Sequence, residues 1–310
     1  MMTHLLYILC DISLPILILI LIGFVFQKIF KADVRSFTKL FIYVLSPAVI
    51  FVKILAVEFT MELVLHVGVF IILLQASMYV VSFVVCRLSR YPKSMRNAAI
   101  NSLTLFNTGN YGIPLIDLTF GGNALAVTSQ IFIVIIQNMT TNTVGVYLAS
   151  SGNGSGKQAL KSVAKIPAIY VIVLGVIINL LSIKIPETIM VPLDYLADGF
   201  FAMALVGLGT QLAEVPVDLR ELKKVLGISI IKVISTPVLG FLLVLLLGIK
   251  GMLAQALIIG ISTPTAVNSA VYAREFNNEP AFASQIVVVT TVLCTFTLPI
   301  VIYLAGQYFV

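Results

Sequence analysis

The chain has 310 residues, of which 60% are hydrophobic and only 10% are charged. Since roughly a quarter of the residues in an ordinary soluble protein are charged, a chain with this composition and a mean hydropathy of +1.10 cannot cover a water-soluble surface. The net charge of +6 is typical of the loops of a membrane protein and indicates no nucleic-acid partner. The composition therefore predicts an all-α polytopic protein in the lipid bilayer.

Ten apolar segments follow one another along the chain, and each is long enough to approach or cross a bilayer as a helix. They are 5–29, 37–57, 62–86, 95–120, 123–149, 166–183, 188–214, 224–248, 251–273 and 282–308. The first segment is too long for the apolar core of a cleaved signal peptide, so we interpret it as a membrane helix. The connections are short, and none could form a separate soluble domain.

Basic residues concentrate in the loops that follow the odd-numbered segments. Fifteen of the 19 Lys and Arg residues are Lys28, Lys31, Arg35, Lys39, Arg87, Arg90, Lys93, Arg96, Lys157, Lys161, Lys165, Arg220, Lys223, Lys224 and Arg274. Because basic loops stay in the cytoplasm, the pattern predicts a multi-pass protein of the plasma (cell) membrane with both termini non-cytoplasmic.

A chain of ten membrane segments with both termini on the same side of the membrane can be divided into two halves of five segments. Because each half has an odd number of segments, the second half has the inverted orientation in the membrane. QIFIVIIQNMTTNTVGVYLA, from Gln130 to Ala149, resembles QIVVVTTVLCTFTLPIVIYLA, from Gln285 to Ala305. The sequence therefore predicts two inverted five-helix repeats, 1–149 and 166–310, joined by a cytoplasmic linker at 150–165.

Segments 4 and 9 are both interrupted. NTGNYGIPL, from Asn107 to Leu115, carries Gly and Pro, which weaken a helix, and Asn and Thr, which need partners once buried. ISTPTAVNSA, from Ile261 to Ala270, does the same around Pro264. Proline and glycine also kink many membrane helices without binding anything. Paired breaks at matching positions of two halves nevertheless point to the solute site of a secondary transporter.

At such breaks we expect free N–H groups to bind a carboxylate and free carbonyl groups to bind a cation. In a helix Asn107, Asn110 and Tyr111 would share one face, and Pro264 and Asn268 another. The predicted substrate-binding residues are Asn107, Thr108, Asn110, Tyr111, Gly112, Pro114, Thr263, Pro264, Thr265, Asn268 and Ser269.

Other polar residues within the apolar segments leave alternatives open. Asp117 is either a proton relay or an acid at the membrane interface. Lys53 and Lys232 are either counter-charges for an anion or snorkelling side chains, and we favour snorkelling. The polarity of segment 5, at Gln130, Gln137, Asn138, Thr141 and Asn142, fits helix–helix hydrogen bonds as well as a solute path.

The sequence around the interrupted segments resembles that of the auxin efflux carrier family, which includes plant auxin carriers and bacterial organic-acid permeases of the malate/malonate type. NTGNYGIPL is similar to the segment 4 motif of that family, and YVLSPAVIF (43–51), LVGLGTQLA (205–213) and VYAREFNNEP (271–280) are similar to its segments 2, 7 and 9. The resemblance implies a ten-helix fold of scaffold and transport domains in which segments 4 and 9 cross. It also implies that Asn107 and Pro114 mark one half of the crossing and Pro264 the other.

Two departures refine the resemblance. The long cytoplasmic loop of many plant members is missing, which favours a bacterial type. Segment 9 lacks the acidic residue that sodium-coupled relatives of this fold carry near the crossing, which argues against sodium coupling.

The sequence thus predicts a secondary active transporter that moves a small organic anion, such as malate or another carboxylate, by alternating access. Protons are the candidate coupling ion. A receptor or sensor that binds without transport is the alternative, and no enzymatic activity is expected. Three scattered Cys and two separated His suggest no metal, catalytic or cofactor site. The sequence leaves open whether the protein is a monomer or a homodimer.

Overall fold

The computed structural model describes residues 2–57, 60–140, 167–215 and 221–309. Across these ranges every regular element is a helix. Six of the described helices are long and apolar enough to cross a bilayer: Leu5–Phe30, Ser36–Ala56, Met61–Leu88, Glu187–Ala213, Leu222–Leu247 and Pro280–Tyr308. The prediction of an all-helical, polytopic membrane protein is confirmed.

In the described ranges, fourteen α-helices correspond to the ten predicted segments, because four segments are each divided in two. They are α1 (Met2–Ile8), α2 (Leu14–Phe30), α3 (Val34–Leu40), α4 (Ser46–Ala56), α5 (Met61–Leu88), α6 (Lys93–Thr104), α7 (Ile113–Thr119), α8 (Ala124–Thr140), α9 (Pro167–Leu180), α10 (Glu187–Ala213), α11 (Leu222–Leu247), α12 (Gly251–Ile261), α13 (Val267–Glu275) and α14 (Pro280–Tyr308). The predicted end of segment 5 and the linker at 150–165 lie outside the described residues.

Three of the divisions are π-helical turns, at Leu9–Ser13, Phe41–Leu45 and Thr108–Gly112. Each is followed by a helix with proline in its first turn, at Pro15, Pro47 or Pro114. A proline donates no backbone hydrogen bond to the residue four positions earlier, and in all three cases that residue lies within the π turn. The missing bond accounts for the wider turn.

The helices form two groups that face each other. In the first group, α10 packs along α2 and α4, and α9 packs on α4. In the second, α5 to α8 pack with α11 to α14. The first group thus combines segments 1 and 2 with 6 and 7, and the second combines 3 to 5 with 8 to 10. Two repeated halves would place corresponding segments in the same group, as observed here. The inverted repeat itself stays a prediction.

Close backbone contact between α2 and α10 makes the first group compact. A Cβ atom on Gly23 would overlap the backbone of Val206, and one on Gly209 would overlap the backbone of Ile20. Small residues at such positions let membrane helices approach closely. The first group is therefore a tightly packed wall against which the second group rests.

Candidate functional site

The interruptions in segments 4 and 9 contact each other directly. The backbone N–H of Asn107 donates to the carbonyl of Pro264 at 2.8 Å, and the N–H of Ala266 donates to the carbonyl of Leu105 at 3.0 Å. Phe106 and Thr265 form an antiparallel bridge between these bonds. Each unwound stretch thus satisfies part of the other's backbone, as burial requires.

Side chains from neighbouring helices occupy other carbonyls at the breaks. Gln130 of α8 donates to the carbonyls of Thr108 (2.8 Å) and Gly260 (3.3 Å). Gln137, two turns further along α8, donates to the carbonyl of Phe106. The expectation of free carbonyls is therefore wrong at these positions, because a buried carbonyl without a donor is costly. The polarity of α8 at these two residues provides helix–helix hydrogen bonds.

Lys232 of α11 lies inside the protein and does not snorkel. Its side chain is fully buried. Its ammonium donates to the carbonyl of Leu103 at 2.7 Å and lies 3.4 Å from the centre of the Phe106 ring. The negative end of α6, which terminates at Thr104, attracts a cation to this position. Snorkelling, which the sequence favoured, is wrong for this residue.

A cavity of about 360 Å³ lies between the two helix groups, beside the crossing. Residues of α3, α4 and α10 form one wall, and residues of α8, α13 and the segment 4 break form the other. The polar residues that line it are Thr38, Tyr43, Ser46, Asn107, Thr108, Asn110, Gln137, Asn138, Gln211 and Asn268. Across the described parts of the chain, none of the lining residues is charged. Amide and hydroxyl groups therefore supply the hydrogen-bonding capacity of the cavity.

The N-terminal end of α13 faces this cavity. Ala266, Val267 and Asn268, which begin the helix, all line the cavity wall. The N-terminal end of a helix carries a partial positive charge and unpaired N–H groups. By contrast, Lys232 covers the negative end of α6. The crossing therefore presents the partial positive charge of the α13 N-terminal end to the cavity.

The structure places four of the predicted site residues in the cavity wall: Asn107, Thr108, Asn110 and Asn268. The others, which do not line it, are Tyr111, Gly112, Pro114, Thr263, Pro264, Thr265 and Ser269. All seven are buried behind the wall. The hydroxyl of Thr265, for example, donates to the carbonyl of Ser102 at 2.9 Å, which ties the segment 9 break to α6.

The predicted shared faces are wrong because neither set of residues lies within one continuous α-helix. Asn107 precedes the π turn with φ −82° and ψ 54°, so Tyr111 points away from the cavity while Asn110 faces it. Pro264 lies in the non-helical stretch before α13, whereas Asn268 belongs to that helix. A helical projection does not apply to residues on the two sides of such a break.

Sequence reasoning missed the residues of the first group that complete the cavity. Tyr43 and Ser46 lie in YVLSPAVIF, and Gln211 lies in LVGLGTQLA. Both stretches resemble family motifs, and that resemblance was the signal available for them. Nothing in segments 2 and 7 taken singly shows that they face the break in segment 4.

Asp117 lies apart from the cavity and is paired. Its carboxylate is 3.0 Å from the ammonium of Lys53, which also donates to the carbonyl of Gly122 at 3.2 Å. Neither Asp117 nor Lys53 lines the cavity. The pairing explains why two oppositely charged residues are tolerated within apolar segments.

A polytopic helical protein with paired helix breaks beside a polar cavity has the architecture of a membrane carrier. The chain belongs to the membrane transport protein family, whose model matches residues 7–302. This is the auxin efflux carrier family that the sequence motifs resemble. The recognition from sequence is confirmed.

Two relatives extend the comparison over almost the whole chain. An uncharacterized transporter of Methanocaldococcus jannaschii is 26% identical over 294 residues, which cover 91% of this chain and 94% of the relative. An uncharacterized transporter of Methanothermobacter thermautotrophicus is 22% identical over 298 residues, covering 93% of this chain and 95% of the relative. The protein is therefore a multi-pass membrane transporter.

Proposed function

We propose that the protein is a secondary active permease of the plasma membrane that moves a small organic anion, such as malate or another carboxylate, by alternating access. The observation that carries this proposal is the cavity between the helix groups, which combines an uncharged amide-rich lining with the N-terminal end of α13. Family membership supports transport, and the cavity supports the substrate class.

The lining supports a small anion. Six amide side chains, those of Asn107, Asn110, Gln137, Asn138, Gln211 and Asn268, line the cavity. Amide N–H groups and the helix terminus stabilise a carboxylate without a full counter-charge, so binding stays weak enough for release. A volume of about 360 Å³ is near the lower end of the range for small-molecule sites, roughly 300–1,000 Å³.

Lys232 supports transport that does not depend on sodium. A sodium ion at the crossing would need oxygen ligands, and the carbonyl of Leu103 at the end of α6 is already bound by the Lys232 ammonium. We therefore infer that transport is proton-dependent or simply electrogenic. The ion pair with Lys53 favours a structural role for Asp117 over the proton-relay role.

Uptake of labelled malate into proteoliposomes, with and without a proton gradient, tests the proposal. We expect the wild-type protein to accumulate malate above protein-free liposomes. Asn107→Ala should reduce uptake, whereas Asn123→Ala should not, because Asn123 accepts hydrogen bonds from Leu125 and Ala126 at the start of α8, outside the cavity. Saturable malate binding without uptake would favour the receptor alternative. If no small carboxylate is either bound or taken up, the proposed substrate class is refuted.

A further inference from the structure

Lys53 connects the two helix groups through three polar contacts. It belongs to α4 of the first group, and its ammonium reaches the carboxylate of Asp117 (3.0 Å) and the carbonyl of Gly122 (3.2 Å). The hydroxyl of Thr128 in α8 also donates to the backbone carbonyl of Lys53 at 3.1 Å. Asp117, Gly122 and Thr128 all belong to the second group or to its α7–α8 connection.

These contacts lie about one helical turn beyond the cavity residue Ile50. The cavity extends from the half-buried residues Phe37, Thr38 and Gln211 to Ile50, which is buried. Lys53 follows Ile50 by about one helical turn, and Thr128, which is fully buried, packs against that turn. These buried side chains form a seal between the cavity and the ion pair.

The ion pair is shielded enough to contribute to this seal. The side chains of Lys53 and Asp117 are 17% and 24% exposed. Pairs that are partly removed from water are screened less than surface pairs. The Lys53 ammonium also lies 5.6 Å from the centre of the Phe201 ring in α10, so it is positioned by both groups.

We propose that Lys53 and Asp117 form a latch that holds the two helix groups together beyond the Ile50 end of the cavity, and that this latch breaks whenever the carrier opens at that end. The inference rests on the proposed function, because only a carrier has to open at both ends. Separation of α4 from α7 lengthens the Lys53–Asp117 contact and the Lys53–Gly122 contact together. The latch thus sets the balance between the two states of the carrier.

Loss of the latch should shift that balance measurably. A partly shielded pair of this kind corresponds to a change of roughly threefold to tenfold in the ratio of the two states. Double electron–electron resonance detects such a change as a larger population at long distance between two spin labels. Leu118 of α7 and Leu181, which follows α9, are exposed and suit labelling on opposite groups. The exposed native thiol of Cys10 is first removed by Cys10→Ser.

Three variants and one control make the test specific. Lys53→Met and Asp117→Asn each remove one charge, and the double exchange of Lys53→Asp with Asp117→Lys reverses the pair. Lys224→Met is the matched control, because it removes a 2.7 Å ion pair with Glu221 that lies within one end of α11. We expect both single variants to gain long-distance population, the double exchange to regain the wild-type distribution, and Lys224→Met to leave it unchanged.

A wild-type distance distribution in both single variants would overturn the latch. If Lys53→Met does not fold, Asp117→Asn decides the question alone, because asparagine keeps the size of the side chain and removes only the charge. The measurement uses no substrate. An unchanged distance distribution would therefore refute the latch without affecting the malate proposal. Likewise, an absence of malate uptake would not alter the measured distances.

Discussion

Gly112 lies where segment 4 contacts Gln130 of segment 5 and Thr263 of segment 9, so an added methyl group there tests the crossing. A Cβ atom on Gly112 would overlap the side-chain nitrogen of Gln130 and would lie 3.3 Å from the methyl group of Thr263. The amide of Gln130 would have to move, and it is the donor for the carbonyls of Thr108 and Gly260. Gly112→Ala should therefore disturb both halves of the crossing at once.

The expected destabilisation follows from these contacts. Overpacking of a well-packed site costs about 1–3 kcal/mol, and each buried carbonyl that loses its donor costs a further 1–3 kcal/mol or so. If the Gln130 amide keeps one of its two bonds, the total is about 2–6 kcal/mol. Gly109→Ala, in the same motif, should cost much less, because its Cβ atom would meet only the Val134 methyl group at an ordinary 3.8 Å.

Thermal unfolding of the purified variants in one detergent measures the difference. We expect Gly112→Ala to melt clearly below the wild type and to lose malate uptake, with Gly109→Ala close to the wild type in melting temperature. Equal melting temperatures for Gly112→Ala and the wild type would refute the packing described for the crossing. If Gly109→Ala lowers the melting temperature as much as Gly112→Ala does, the destabilisation is not specific to the contacts of Gly112.

Three further predictions concern the site and the topology. Asn107→Ala and Asn268→Ala should each reduce malate uptake at least several-fold more than they reduce expression, because both side chains line the cavity; normal uptake in both would place the site elsewhere. Replacement of sodium by potassium or choline at fixed pH should leave uptake unchanged, and strong stimulation by sodium would contradict the role given to Lys232. A cysteine in place of the exposed Gln307 should react with an impermeant maleimide on intact cells, whereas labelling only after permeabilisation would overturn the predicted orientation.

The sequence predicts the helical segments and their interruptions well, because both depend on local properties. Long apolar stretches become the described helices, and Gly112, Pro114 and Pro264 disturb the helix wherever they lie in the fold. Three prolines also give a local reason for the π turns. These features need no knowledge of which helices are neighbours.

The partners of the buried polar groups could not be predicted, because they depend on tertiary contacts. Lys232 and Leu103 are 129 residues apart, and so no local pattern connects the ammonium to the end of α6. Gln130 joins the two breaks for the same reason. The backbone at Asn107 leaves the helix, which removes the periodicity on which the choice of Tyr111 as a site residue depended.

The central claim is that solute passes through the cavity between the helix groups, and protection of a cavity cysteine tests it most directly. Ser46 of α4 lines the cavity and is partly exposed, so Ser46→Cys in the Cys10→Ser background provides one reactive position there. We predict that a water-soluble thiol reagent modifies this cysteine, that the modification stops malate uptake, and that malate slows the reaction in proportion to its occupancy of the site. Full malate uptake by the completely modified protein would contradict the account.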